Sequence, residues 1–134
     1  MTGLVLKLAP NERVLINGAV IENGSRRGRL NIVTPGANIL RLRDALHPEE
    51  VNTPVRRVCY IAQLVLCGEA SEDDAKPQLL RGIAQLAQVL LDKESQTTLV
   101  EAAKAVETGQ HYYALKYLRL LLHSEQQLFS VTKS

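Results

Sequence analysis

The sequence predicts an α+β fold: a small antiparallel β-rich region followed by a four-helix bundle. Three observations carry this reading. Up to residue 46, short alternations of apolar and polar residues are interrupted by Asn-Gly and Pro-Gly pairs, the punctuation of tight turns between strands. Beyond Pro48, apolar residues recur at spacings of three and four over stretches of a dozen residues or more, which is the period of amphipathic helices. The chain has 134 residues, 46% hydrophobic and 22% charged, enough to bury a core without disulfides or a structural metal.

The first strand is predicted over 4–8, ended by the turn-like Ala9-Pro10-Asn11, and the second over 13–16. Asn17-Gly18 then signals a hairpin, because both residues tolerate positive φ, and leads to a third strand over 19–22. Asn23-Gly24 gives a second such signal. Two more strands, 29–33 and 38–43, alternate around Thr34-Pro35-Gly36-Ala37 and are expected to pair as a hairpin. After a linker over 47–53, Thr53 caps and Pro54 opens a helix over 54–67, with Gly68 as its stop. Helices over 75–92, with Asp74 as cap, then 96–107 and 111–129 follow, separated by short gaps that make them antiparallel neighbours. The predicted organisation is a β-rich module at 1–46, the linker, and a helical module at 54–134.

Charge is unevenly placed. Residues 1–46 hold seven basic against three acidic side chains, while the other 88 hold nine against eleven, so the net +2 hides a surplus of four in the first third. Cys59 and Cys67 are eight apart on one helix, too far to pair. Two free thiols, with no charged n-region and apolar h-region at the start, fit a cytoplasmic protein. No apolar run approaches the roughly 20 residues of a bilayer span. His47, His111 and His123 lack metal spacing, no serine stands in a G-x-S-x-G context, and there is no phosphate-binding glycine loop. Glu72-Asp73-Asp74 reads as helix-start charge rather than a cation site. The sequence therefore points away from an enzyme and implies no cofactor.

The arginines are more informative. In the fourth and fifth strands Leu30, Ile32, Leu40 and Leu42 point to one face, which leaves Arg29, Arg41 and Arg43 on the other. Paired as a hairpin, these strands would carry three arginines on one solvent face, with Arg26 and Arg27 in the preceding turn and Lys7 in the first strand. Like charges across a ladder destabilise it unless an anion covers them. The two readings of such a stripe are a nucleic-acid surface and an ordinary solvated face. No aromatic residue precedes Tyr60, so this sheet cannot stack bases on aromatic rings. The last helix has an unusually wide apolar arc, leaving only a narrow polar strip of Tyr112, Lys116, Arg119, His123 and Gln126. Tyr113, Tyr117 and Leu121 are the candidates for a partner surface on that arc, followed by a polar tail, Ser130 to Ser134.

The run from Leu4 through Pro10-Asn11-Glu12-Arg13 to Asn17-Gly18-Ala19-Val20-Ile21, then Asn52-Thr53-Pro54-Val55-Arg56-Arg57, then Tyr112-Tyr113-Ala114-Leu115-Lys116 resembles the FlbT family of flagellar regulators. That resemblance implies a post-transcriptional regulator that binds the leader of flagellin mRNA and alters its translation and decay, beside a FlaF-type flagellar regulator. The β-rich segment is also similar to the carbon storage regulator CsrA, which implies an RNA-binding homodimer with last-strand arginines on the RNA. Arg41 and Arg43 match that strand, but Leu8 and Ala9 stand where first-strand basic residues belong, leaving Lys7. RNA contacts are expected at Arg41 and Arg43 first, then Arg29 and Arg27, with Arg26 and Lys7. The rival expectation is a protein-binding adaptor or chaperone that engages flagellin or FlaF through the helices.

Overall fold

The computed structural model describes residues 3–133, with side chains to residue 129. Five strands come first, β1 (Leu4–Leu8), β2 (Arg13–Ile16), β3 (Ala19–Glu22), β4 (Gly28–Ile32) and β5 (Ile39–Arg41). Four helices follow, α1 (Pro54–Leu66), α2 (Glu72–Ala87), α3 (Lys93–Glu107) and α4 (His111–Lys133), so the α+β prediction holds. Of the tail expected at Ser130 to Ser134, the backbone to Lys133 continues α4, and the side chains lie outside the described residues.

The strand pairing departs from the expected meander. β4 does not pair with β5. It returns to β1, with Leu6 opposite Leu30 and Lys7 opposite Arg29, while β2 lies between β3 and β5 in a second sheet. The reason is burial. Leu6 and Leu8 of the first sheet meet Val14 and Ile39 of the second in one small core, flanked by Leu30 and Ile32, an apolar filling that a single open sheet would leave in water. The segment 33–38, with Gly36 at φ +68°, therefore carries the chain between sheets instead of closing a hairpin. Asn17 and Gly18 do form the expected tight turn, at φ +49° and +87°, and join β2 to β3. Asn23-Gly24 does not close a hairpin; the Asn23 amide instead donates to the carbonyls of Ala9 and Arg26, each at 2.8 Å, tying two loops together.

Alternation along β2 and β5 gives the second sheet two buried faces. Val14 and Ile39 point to the first sheet, whereas Leu15 and Leu40 point to the helices, where Leu40 is part of the bundle core. The molecule thus has three layers: the β1–β4 sheet, the β3–β2–β5 sheet and the bundle. Tyr112 of α4 packs against both cores. The Gln63 side chain clamps the connecting segment, accepting from the Leu46 N–H at 2.7 Å and donating to the Leu46 carbonyl at 3.0 Å.

Each helix packs against its neighbour in sequence, and α4 closes the ring on α1. Thr53 caps α1, accepting from the Arg56 N–H at 3.2 Å. α2 starts three residues earlier than expected because Ser71, not Asp74, is its cap, accepting from Asp74 N–H at 3.1 Å. α3 likewise starts at Lys93, capped by Asp92, which accepts from the Ser95 N–H at 3.0 Å. The capping signals lie in the sequence, but polar first turns hide them from a search for apolar periodicity. Gly82 lets α1 and α2 approach closely: a Cβ there would lie 2.6 Å from Cγ2 of Val58. At the N-terminus of α1, the Val55 N–H donates to the buried carboxylate of Glu125 at 2.9 Å, so α4 supplies the second cap of α1.

Candidate nucleic-acid interface

Because β4 and β5 belong to different sheets, the expected stripe of three arginines is split into two basic regions. The first is the outer face of the β1–β4 sheet. Val5, Lys7, Arg29 and Asn31 are exposed there, and Lys7 and Arg29 stand directly opposite each other in the ladder. Residues so placed have Cβ atoms about 5 Å apart, so the two cations face each other across the strands. Arg26 and Arg27 are exposed in the turn that enters β4, a turn fixed by the Asn23 bond to the Arg26 carbonyl. Among the described residues, no carboxylate lies within ion-pair distance of Lys7, Arg26, Arg27 or Arg29. Arg13, by contrast, is neutralised by Glu22 across the β2–β3 ladder at 2.7 Å.

The second region surrounds the end of β5. Arg41 is the last residue of that strand, and Arg43 falls in a 3-10 turn, Leu42–Asp44, rather than in the strand. The Arg41 side chain is only 12% exposed and donates to the Glu12 carboxylate at 2.8 Å. Glu12, 5% exposed, also accepts from the Ala9 N–H at 2.9 Å and has the Arg43 guanidinium 3.7 Å away. Burial pushes the Glu12 carboxyl upward, but the Ala9 N–H, Arg41 and then Arg43 outweigh it and hold the group below the ordinary carboxylate range. Arg41 is therefore committed to an internal ion pair, whereas the Arg43 side chain, 59% exposed, is open to solvent. The premise that Arg29, Arg41 and Arg43 share one face is overturned by the pairing.

The helical candidates also separate. Tyr113 is 37% exposed, Tyr117 is half-buried against the bundle, and Leu121 is buried at 1% inside it. Leu121 offers no surface in this fold. Sequence reading missed Glu12 and Glu125 as buried carboxylates, since each stands in a polar stretch that reads as surface. Among the described residues no group of His, Cys, Asp and Glu side chains could hold a metal ion. None of the described helices is long and apolar enough to cross a membrane.

The sequence profile described as "Flagellar protein FlbT" matches residues 4–129, a stretch that includes both sheets and most of the bundle. The chain belongs to the FlbT family. Relatives include the "Probable flagellum biosynthesis repressor protein FlbT" of Caulobacter sp., 31% identical over 124 residues that make up 92% of this chain and 94% of the relative. The "Probable flagellum biosynthesis repressor protein FlbT 1" of Bradyrhizobium diazoefficiens is 34% identical over 128 residues, 93% of this chain and 84% of the relative. The "Flagellum biosynthesis repressor protein FlbT" of Caulobacter vibrioides is 27% identical over 124 residues, 92% and 87% of the two chains. No solved structure matches this FlbT-family chain. Both basic regions fall inside the stretch matched by the FlbT profile.

Proposed function

We propose that this chain regulates flagellin production after transcription, in the cytoplasm, by binding the leader of flagellin mRNA and altering its translation and decay. The observation that carries the reading is the outer face of the β1–β4 sheet. Lys7 and Arg29 are cross-strand neighbours there, Arg26 and Arg27 adjoin them, and no described carboxylate pairs with any of the four. A strand pair bears such repulsion at a cost that a polyanion relieves. Family membership and the names of the relatives support the flagellar role. In this reading Lys7, Arg26, Arg27 and Arg29 contact phosphate, Arg43 adds a contact from the second region, and Arg41 acts by holding Glu12.

Titration of flagellin-leader RNA tests it. Binding tighter than to an unrelated RNA, weakened in a folded Lys7→Gln/Arg29→Gln variant with a salt slope flatter by about one unit per lost contact, supports the reading. Equal affinity for the two RNAs, or an unchanged variant, refutes it. A second reading, an adaptor for a FlaF-type regulator or for flagellin, is favoured by the exposed Tyr113 on α4. Loss of that association in Tyr113→Ala with intact RNA binding would support it. The free edge of β3, whose four residues are all exposed with Val20 and Ile21 among them, is the surface proposed for a homodimer. A monomeric mass at high micromolar concentration would remove that part.

A further inference from the structure

The polar strip of α4 has no role in the proposal above, yet the fold aims it at the second basic region. A cleft of about 420 Å³ lies between α4 and the segment that ends β5, with Arg43, Asp44, Tyr112, Lys116, Arg119 and Leu120 on its walls. Arg119 is held in place from the sheet side: Nη1 donates to the Asp44 carbonyl at 3.1 Å and Nη2 lies 3.5 Å from the Asp44 carboxylate. Arg43 approaches Glu12 and Asp44 only at 3.7 and 4.0 Å, beyond hydrogen-bond distance, so its guanidinium donors are unspent. Lys116 is exposed and has no ion-pair or hydrogen-bond partner among the described residues. Counting Arg41 and its partner Glu12, four cations meet two carboxylates around the cleft, leaving a surplus of two positive charges.

We infer that this cleft binds the phosphodiester backbone of single-stranded RNA, with Lys116 and Arg43 as phosphate contacts and Arg119 as the residue that fixes their spacing. Planar guanidinium donors beside a mobile ammonium match phosphate oxygens. Tyr112 and the largely exposed Leu120 supply apolar surface for an unpaired nucleotide. Tyr112 and Leu120 meet the face of an unpaired base, which a base stacked inside a duplex does not expose, and this favours a single strand. The inference rests on the RNA reading above and extends it: the RNA would also contact α4, beside the second basic region, where Asp44 and Arg119, 75 residues apart in the chain, already meet.

The test uses a labelled oligouridylate and, in parallel, a labelled oligoglutamate peptide, titrated against the full chain. Variants are Lys116→Gln, Arg43→Gln and their combination, with Lys93→Gln on α3 as a distant charge control and Lys7→Gln/Arg29→Gln as the sheet variant. The double cleft variant should melt like the parent and bind oligouridylate about tenfold more weakly, its log–log salt slope flatter by about 1.4, from two contacts at about 0.7 each. The Lys93→Gln control should bind like the parent. Parental affinity and slope in the double cleft variant, while the sheet variant loses binding, would overturn this inference and leave the RNA reading intact. No oligouridylate or leader binding by the parent would overturn both. Oligoglutamate binding that is stronger than oligouridylate binding and is lost in the cleft variant would overturn it in favour of an acidic protein partner.

Discussion

Glu12 offers the sharpest test of how this fold is held. Replacing it with Ala leaves the Arg41 guanidinium without its counterion in a site where that side chain is 12% exposed, and removes the acceptor of the Ala9 N–H. Breaking a buried pair by deleting one partner costs about 3–5 kcal/mol. The remaining solvent access of Arg41 and the exposure of Ala9 place Glu12→Ala at the low end, about 3 kcal/mol. For a chain of this size that loss lowers Tm by about 12 °C. Glu12→Gln keeps an acceptor and the shape but loses the charge, so about 2 kcal/mol is expected. Urea denaturation followed by far-ultraviolet circular dichroism, repeated from neutral to acid pH, reads both quantities. The carboxyl is depressed in the folded state, so its contribution is complete above the ordinary carboxylate range and is lost as pH falls through the lower folded value. The gap between parent and Glu12→Gln should therefore close in acid. A gap under about 0.5 kcal/mol at neutral pH, below the usual worth of even one hydrogen bond, or one that does not change with pH, would refute this account. A cycle with Arg41→Met should return part of the loss, since the pair is removed together. Arg43, with its side chain 59% exposed, and not Arg41, 12% exposed and paired with Glu12, is therefore the residue for RNA-binding tests.

Glu125→Ala should cost about 2 kcal/mol, because the buried Val55 N–H loses its acceptor, whereas Glu125→Gln should cost clearly less; chemical denaturation of the two variants decides. In an open helix Gly→Ala gains about 1 kcal/mol, but Gly82→Ala should lower the melting temperature because its Cβ collides with Val58, and a rise would contradict the packing of α1 on α2. Leu121→Ala should destabilise by about 2–5 kcal/mol and Tyr113→Ala by far less, a contrast readable in one thermal series.

Local structure was legible where its cause is local. Alternation marked all five strands within a residue or two, Asn17-Gly18 marked its hairpin, and Thr53-Pro54 and Gly109 marked a helix start and a helix stop, because each depends on dihedral preference and side-chain period within a few residues. The concentration of basic residues in the first third was equally plain from the chain. Which strand would pair with which was not. Backbone ladders are nearly equivalent in energy whichever strands they join, so the choice of β1 for β4 and of β2 for β5 was made by the apolar faces that Leu6, Leu8, Val14 and Ile39 had to cover. That choice divided the arginines. It put Arg41 against Glu12, 29 residues away, and it turned the polar strip of α4 toward Asp44, 75 residues from Arg119. A period of two or of 3.6 says which face of an element is buried but not what lies against it, and only the assembled layers decide which charges are spent inside the protein and which remain for a partner.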